Sequence, residues 1–150
     1  MLTTIIFSLL VATSSARLHC DKGLIARTLK QIEIADYDPS ATPPPFWVVG
    51  DLYRVVARNV AQCAGASHHY MGSRLNDLIQ AAIFSKFAAQ AYFDAREPSH
   101  GCAMLREAQR QGMAAVASSK NVNHLDRLYL GVNRKNVVSI QELMTLKCHT

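Results

Sequence analysis

Apolar side chains recur along most of this chain with the period of an α-helix. Between Asp21 and Ala35, counted from Leu24 as i, they follow the spacing i, i+1, i+4, i+5, i+8 and i+11, which predicts a first helix with one apolar face. The prolines of the segment DYDPSATPPP disfavour helical geometry, so the first helix must end before it. The clearest amphipathic repeat of the chain follows and predicts a second helix over 47–64. Ser73 is a suitable N-cap for a third helix that runs to about Ala95.

The second half of the chain predicts up to three further helices. After a break at 97–101, the segment 102–118 forms the fourth. Asn123 opens a short fifth helix that ends near 131–133, and Ser139 to Glu142 has the pattern of a capping box that opens a final one. No segment alternates with period two for more than a few residues. The predicted fold is therefore all-α, a compact antiparallel bundle of five or six short helices.

The N-terminal segment has the layout of a secretory signal peptide. Its first sixteen residues carry no charged side chain, and an apolar run of eight spans Ile5 to Ala12. Ser14 and Ala16 are small residues at the two positions that a signal peptidase recognises. The apolar run is shorter than the roughly 20 residues that are needed to cross a bilayer. The alternative is a buried N-terminal helix. We expect a signal peptide over 1–16, a single helical domain over 17–150, a secreted or periplasmic location, and no stable membrane insertion after cleavage.

The four cysteines predict two disulfides, because an even set in an exported chain is usually oxidised. In an up-and-down bundle Cys20 opens the first helix and Cys63 closes the second, so both lie at one end. The third helix separates Cys63 from Cys102 by about 30 Å, whereas a disulfide needs Cα atoms within about 7 Å. We therefore predict Cys20–Cys63 and Cys102–Cys148. The second bond requires the last helix to fold back.

Motifs for catalysis or metal binding are missing from the sequence. Three of the cysteines have a histidine within two residues, but no CxxC or HxxxH spacing brings four ligands together. GxSxG, HExxH and a glycine-rich phosphate loop are also absent. The sequence thus predicts no metal, no cofactor and no enzymatic activity.

Two groups of side chains are candidates for binding. The first is His68, His69 and Tyr70, with Arg74 just beyond, because histidines can act as acids, bases or ligands near neutral pH. The alternative is an exposed loop without a specific role. The second candidate is Trp47, since tryptophan is enriched at the centres of interfaces. Its alternative role is an apolar plug at the start of a helix.

The chain is mildly basic, with 16 Lys and Arg residues against 11 Asp and Glu, a net charge of +5. The excess lies after Ser99, where seven basic residues face three acidic ones. This last third is either a solvated surface or a surface for an acidic partner. Because the charge is diluted, nucleic acid is not an expected partner.

These patterns favour a small exported helical protein without catalytic machinery that binds or inhibits a protein partner. Immunity proteins that block toxins in the periplasm are similar in format, although no motif is shared. A carrier of a small apolar ligand is the first alternative; insect odorant-binding proteins also have about six helices and bridged cysteines, but their C-x3-C pair is missing here. A small enzyme that uses His68 or His69 is the second.

Overall fold

A computed structural model describes residues 19–37, 45–119 and 123–148, which form five α-helices and no strand. The helices are α1 (Lys22–Tyr37), α2 (Phe46–Ala64), α3 (Arg74–Asp94), α4 (Pro98–Ala117) and α5 (His124–Lys147). The all-α prediction is confirmed for this part of the chain. The predicted signal peptide over 1–16 lies outside the described residues. No helix within the described ranges is long and apolar enough to cross a membrane.

Helix α3 is the centre of the bundle, with α2, α4 and α5 packed against it. Helix α1 packs on α2, and α5 packs mainly on α4. Neighbours along the chain run antiparallel: Gly50 lies against the ring of Tyr92, while Tyr53, further along α2, stacks near Phe84 and Phe87, earlier in α3. This arrangement leaves α2 and α4 on two sides of one central helix.

The core is built from apolar side chains on the inner face of each helix. Between α1 and α2 it contains Ile25, Val56 and Val60, all fully buried. Helix α3 contributes several buried alanines, and these small side chains let the backbones of α2 and α4 approach closely. Leu105 of α4 and Ile140 of α5 close the core on the far side.

Both predicted disulfides are present. Cys20 and Cys63 are bonded with their Cα atoms 4.4 Å apart, and Cys102 and Cys148 with theirs 5.7 Å apart, so no cysteine is free. The loops that they close span 43 and 46 residues. The chain-entropy model assigns each about 4 kcal/mol of stabilisation. One bond ties the start of α1 to the end of α2, and the other ties the start of α4 to the end of α5.

The predicted break before the fourth helix is misplaced. Helix α4 begins at Pro98, four residues before the expected start, so the connection from α3 is only Ala95 to Glu97. Proline suits the first turn of a helix, because the N–H that it lacks would have no partner there. Arg96 makes the sharp turn with a positive φ of 60°.

The predicted division of the last segment into two helices is wrong, since α5 is continuous over 24 residues. Asn123 does cap it, accepting from the Asp126 N–H at 2.8 Å. Near the expected end, Asn133 is buried and its Nδ2 donates to the carbonyl of Gly112 at 3.1 Å. The expected capping residue Ser139 accepts instead from Lys86 Nζ of α3 at 2.9 Å. Asn133 and Ser139 thus bond to other helices instead of ending a helix, and the buried Oδ1 of Asn133 has no partner among the described residues.

Candidate binding groove

The loop between α2 and α3, where four of the candidate site residues lie, is folded around one carboxylate. Asp77, fully buried in the first turn of α3, accepts from the backbone N–H of Tyr70 at 3.0 Å and of Met71 at 2.6 Å. The His69 Nδ1 lies 3.4 Å from the same carboxylate and 3.0 Å from the carbonyl oxygen of Cys63. A negative charge is also favourable at a helix N-terminus. These bonds fix the loop on the helix ends.

His69 and Arg74 connect this loop and the start of α3 to carbonyl groups at the end of α2. Arg74 donates to the carbonyl of Ala64 at 3.3 Å, across the ends of the two helices. His68 is exposed, whereas His69 and Tyr70 are half-buried against the loop. Within the described ranges, no three His, Cys, Asp or Glu side chains are placed to hold a metal ion.

The other candidate, Trp47, lies at the opposite end of α2. It is 49% exposed, and Phe46 beside it is 57% exposed. Because α2 has 19 residues, its length of about 27 Å separates Trp47 from the loop. The structure therefore does not bring the two candidate groups into one site.

A different feature joins the three central helices: an open groove of about 510 Å³ between α2 and α4, with α3 as its floor. This volume falls within the usual range of ligand pockets. We call it the α2–α4 groove. Its floor contains Ser85 and Tyr92, and its walls contain Arg54, Ala57, Arg58, Ala61 and Gln62 from α2 with His100, Ala103, Met104, Glu107, Arg110 and Gln111 from α4.

The helical period explains why this set of residues lines the groove. On α2 the lining residues fall at i, i+3, i+4 and i+7 from Arg54, one face of the helix, and α4 follows the same spacing from His100. Small side chains occupy the middle of both walls, at Ala57, Ala61 and Ala103. They leave open the space that larger apolar residues would fill, and the charged side chains extend above them.

The lining is cationic, with three arginines and one glutamate, a net charge of +2 when His100 is neutral. Glu107 pairs with Arg110 through two bonds, of which Nε to Oε2 is 3.0 Å long, and this contact raises the pKa of Arg110. Arg54 and Arg58, both exposed, form no ion pair within the described ranges. The α2 wall therefore presents two guanidinium groups that form no ion pair with a residue of the described ranges, although Arg54 also acts on the Tyr92 hydroxyl beside Asp51.

Buried polar groups hold the α4 wall. Ser85 is fully buried and donates its hydroxyl to Gln111 Oε1 at 2.7 Å, while Gln111 Nε2 donates to Glu107 Oε1 at 3.1 Å. These hydrogen bonds satisfy the side chains of Ser85 and Gln111, which are themselves buried from water. The chain of bonds fixes the Glu107 carboxylate beside Arg110.

Tyr92 supplies a neutral phenol at the other end of the floor. Its buried hydroxyl donates to the carboxylate of Asp51. Burial, together with the hydrogen bond and the charge of Asp51, raises the pKa of Tyr92 to about 12, although Arg54 acts in the opposite direction. The ring of His100 lies 5.3 Å from that of Tyr92, and its Nδ1 is 2.9 Å from Glu97.

Comparison with protein families, curated proteins and solved structures finds no match to this chain. The function of the groove is therefore inferred from its own chemistry.

The sequence alone does not identify the groove residues as a site. Arg54 and Arg58 form no recognised motif, and Arg110 is one of the seven basic residues in the last third of the chain, which could be either a solvated surface or a surface for an acidic partner. A usable signal was present in the two arginines one turn apart, with Ala57 and Ala61 interleaved on the same face. Nothing in the sequence shows that this face meets Arg110 across the central helix.

Proposed function

We propose that this protein is an exported binding protein without catalytic machinery, which binds or inhibits a protein partner through the α2–α4 groove. The observation that supports the proposal is the groove itself, a cavity of about 510 Å³ with two arginines on its rim that form no ion pair in the described part of the chain. The two disulfides indicate an oxidising compartment outside the cytoplasm.

The disulfides also support the groove as a preformed site. Cys63 follows Gln62 on the α2 wall, and Cys102 precedes Ala103 on the α4 wall, so each wall is bonded covalently to an outer helix. A site that is rigid before binding loses less conformational entropy when its partner arrives.

The polar groups of the groove favour binding over catalysis. Ser85 donates its proton to an amide oxygen of Gln111, which is no base, so its hydroxyl is not activated as a nucleophile. Tyr92 is protonated at neutral pH, as any phenol is, and its hydroxyl is already bonded to Asp51. Its pKa, raised to about 12, makes it an even weaker acid. Both groups are suited to fixing shape and orienting a bound chain.

A carrier of a small molecule is the second candidate, because the volume of the groove also suits a ligand of that size. Guanidinium groups on the rim favour an anionic molecule over the purely apolar one expected from the sequence. The same experiment separates this function from the first.

A photo-crosslinking experiment tests the proposal. A benzoylphenylalanine at Gln62, on the rim, and a matched one at Gln141, exposed on α5, would be compared in the native surroundings of the exported protein. We expect a protein adduct from Gln62 only. The captured protein, once purified, should bind about tenfold more weakly to Ala103→Trp, which fills the groove, than to the control Gln141→Trp. Equal capture of protein at both positions, or equal affinities of the two tryptophan variants for the captured protein, would contradict the proposal. If no protein is captured and a small molecule is released from the purified protein, the carrier function is favoured instead.

A further inference from the structure

We infer that the α2–α4 groove recognises paired carboxylates in an acidic segment of the partner polypeptide, and that Glu107 is a built-in competitor for one of the arginines involved. This inference rests on the proposed function and specifies the chemistry of the partner. It is supported by the placement of three guanidinium groups and one carboxylate around the groove.

Arg54 and Arg58 form the half of the site that has no ion pair among the described residues, with Arg54 beside the Tyr92 hydroxyl. They stand one turn apart on the same face of α2, so their backbone positions are separated by about 6 Å along the helix axis. Alternate side chains of an extended chain lie on one side of it, about 6.6 Å apart. A segment with acidic residues at every second position therefore matches the pair, and guanidinium groups bind carboxylates through two parallel hydrogen bonds.

The opposite wall already holds a carboxylate in this way. Glu107 accepts from both Nε and Nη2 of Arg110, and its Oε1 also accepts from Gln111. Gln111 is itself held by Ser85, and both are at least 98% buried. The groove thus already contains one carboxylate–guanidinium pair, formed between neighbouring turns of α4. The negative charge of Glu107 also opposes the approach of an acidic partner.

The walls favour a polypeptide over a free inorganic anion. Below their charged side chains lie Ala57, Ala61, Ala103 and Met104, whose apolar side chains offer no hydrogen bonds. In an extended acidic segment the carboxylates face the arginines of α2, and the apolar residues between them face the α4 wall with Ala103 and Met104. Inorganic phosphate would engage the arginines only and leave these apolar side chains exposed to water.

Substitution of Glu107 provides a test that a folding defect cannot imitate, because the expected effect is a gain. Glu107→Gln keeps a carbonyl oxygen to accept from Gln111 and raises the net charge of the lining from +2 to +3. We expect about fivefold tighter binding of a fluorescein-labelled peptide with alternating Glu and Val. The double variant Arg54→Gln with Arg58→Gln should bind it about tenfold more weakly. Arg134→Gln, exposed on α5, is the matched control and should bind as the unchanged protein does.

Fluorescence polarisation at low salt and at about 0.5 M NaCl measures these affinities, with a Gln-Val peptide as the uncharged probe and inorganic phosphate as competitor. Unchanged or weaker binding by Glu107→Gln would overturn the inference. So would an equal loss in Arg134→Gln, or phosphate that competes as well as the acidic peptide.

The two proposals fail in different ways. If a partner is captured at Gln62 but its affinity is unchanged by substitution of Glu107, Arg54 and Arg58, the groove binds a protein through other chemistry. In that case only this inference is wrong. If the crosslinker at Gln62 captures nothing, the proposed function is wrong, whatever the peptides do.

Discussion

Gly112→Ala should destabilise this protein and Gly131→Ala should stabilise it, although each adds the same methyl group inside a helix. At Gly112 of α4, an added Cβ would lie 2.8 Å from Val137 Cγ2 and 3.6 Å from Asn133 Oδ1, both on α5. At Gly131 of α5 no atom lies within 4 Å of the added Cβ. The first position is a point of close approach between helices, and the second faces open space.

The expected magnitudes follow from two opposing terms. Alanine is favoured over glycine in a helix by about 1 kcal/mol, which applies at both positions. Overpacking a tight interface costs about 1–3 kcal/mol, and Val137 cannot easily turn its methyl away, because a β-branched side chain has one preferred rotamer in a helix. The contact of 2.8 Å places the cost in the upper part of that range, about 2–3 kcal/mol. After the gain of about 1 kcal/mol is subtracted, we expect Gly112→Ala to lower the free energy of unfolding by about 1–2 kcal/mol. Gly131→Ala should raise it by about 1 kcal/mol.

Urea unfolding of the oxidised variants measures both changes, with the slope of the transition as a check that the surface exposed on unfolding is unaltered. The neighbour of Gly112, Gln111, is part of the groove, so this packing also positions the α4 wall. Stabilisation of both variants by the same amount would refute the close contact between α4 and α5, and with it the described position of that wall.

Three further predictions concern the second disulfide, the α2–α3 loop and the buried phenol. Cys102→Ala combined with Cys148→Ala should lower the free energy of unfolding by about 4 kcal/mol in urea titrations, and a loss below about 1 kcal/mol would contradict the structural role of the bond. Asp77→Asn should lower the free energy of unfolding by about 2–3 kcal/mol, because the new amide group can accept from only one of the backbone N–H groups of Tyr70 and Met71. Faster hydrogen exchange of one of these two amides is the specific readout, and unchanged protection of both would refute the prediction. The pKa of Tyr92 is about 12 against 10.0 for an ordinary phenol, so the stabilisation from its neutral form is fully present below pH 10 and is lost as the pH rises towards 12. Stability should fall by up to about 3 kcal/mol across that range, and Tyr92→Phe should lack this part of the slope; identical slopes would count against the buried bond to Asp51.

The sequence predicted most helices and both disulfides because these depend on local periodicity and on simple geometry. The apolar repeats of α1 and α2 each bury one face, while α3 is buried on several sides by the helices around it. The N-cap at Ser73 accepts from Asn76 as a capping residue should. The cysteine pairing follows from which helix ends lie together in an up-and-down bundle. That argument requires no knowledge of side-chain packing.

The misplaced start of α4 is a local error, because Pro98 suits the first turn of a helix. The other failures involve contacts between distant segments. Asn133 and Ser139 suggested helix ends because such residues often cap helices, but their partners are Gly112 and Lys86 on other helices. The groove escaped detection for the same reason. Its walls come from α2 and α4, and only their common packing on α3 places Arg110 opposite the arginines of α2.

The most direct test of the account is an NMR titration of the arginine Nε–Hε resonances with the partner captured at the groove, or with the alternating Glu-Val peptide. We predict that the signals of Arg54, Arg58 and Arg110 shift as the ligand is added, while those of Arg127 and Arg134 on α5 stay in place. Shifts confined to the α5 arginines would place acidic ligands on the basic last third of the chain and contradict the groove as the binding site.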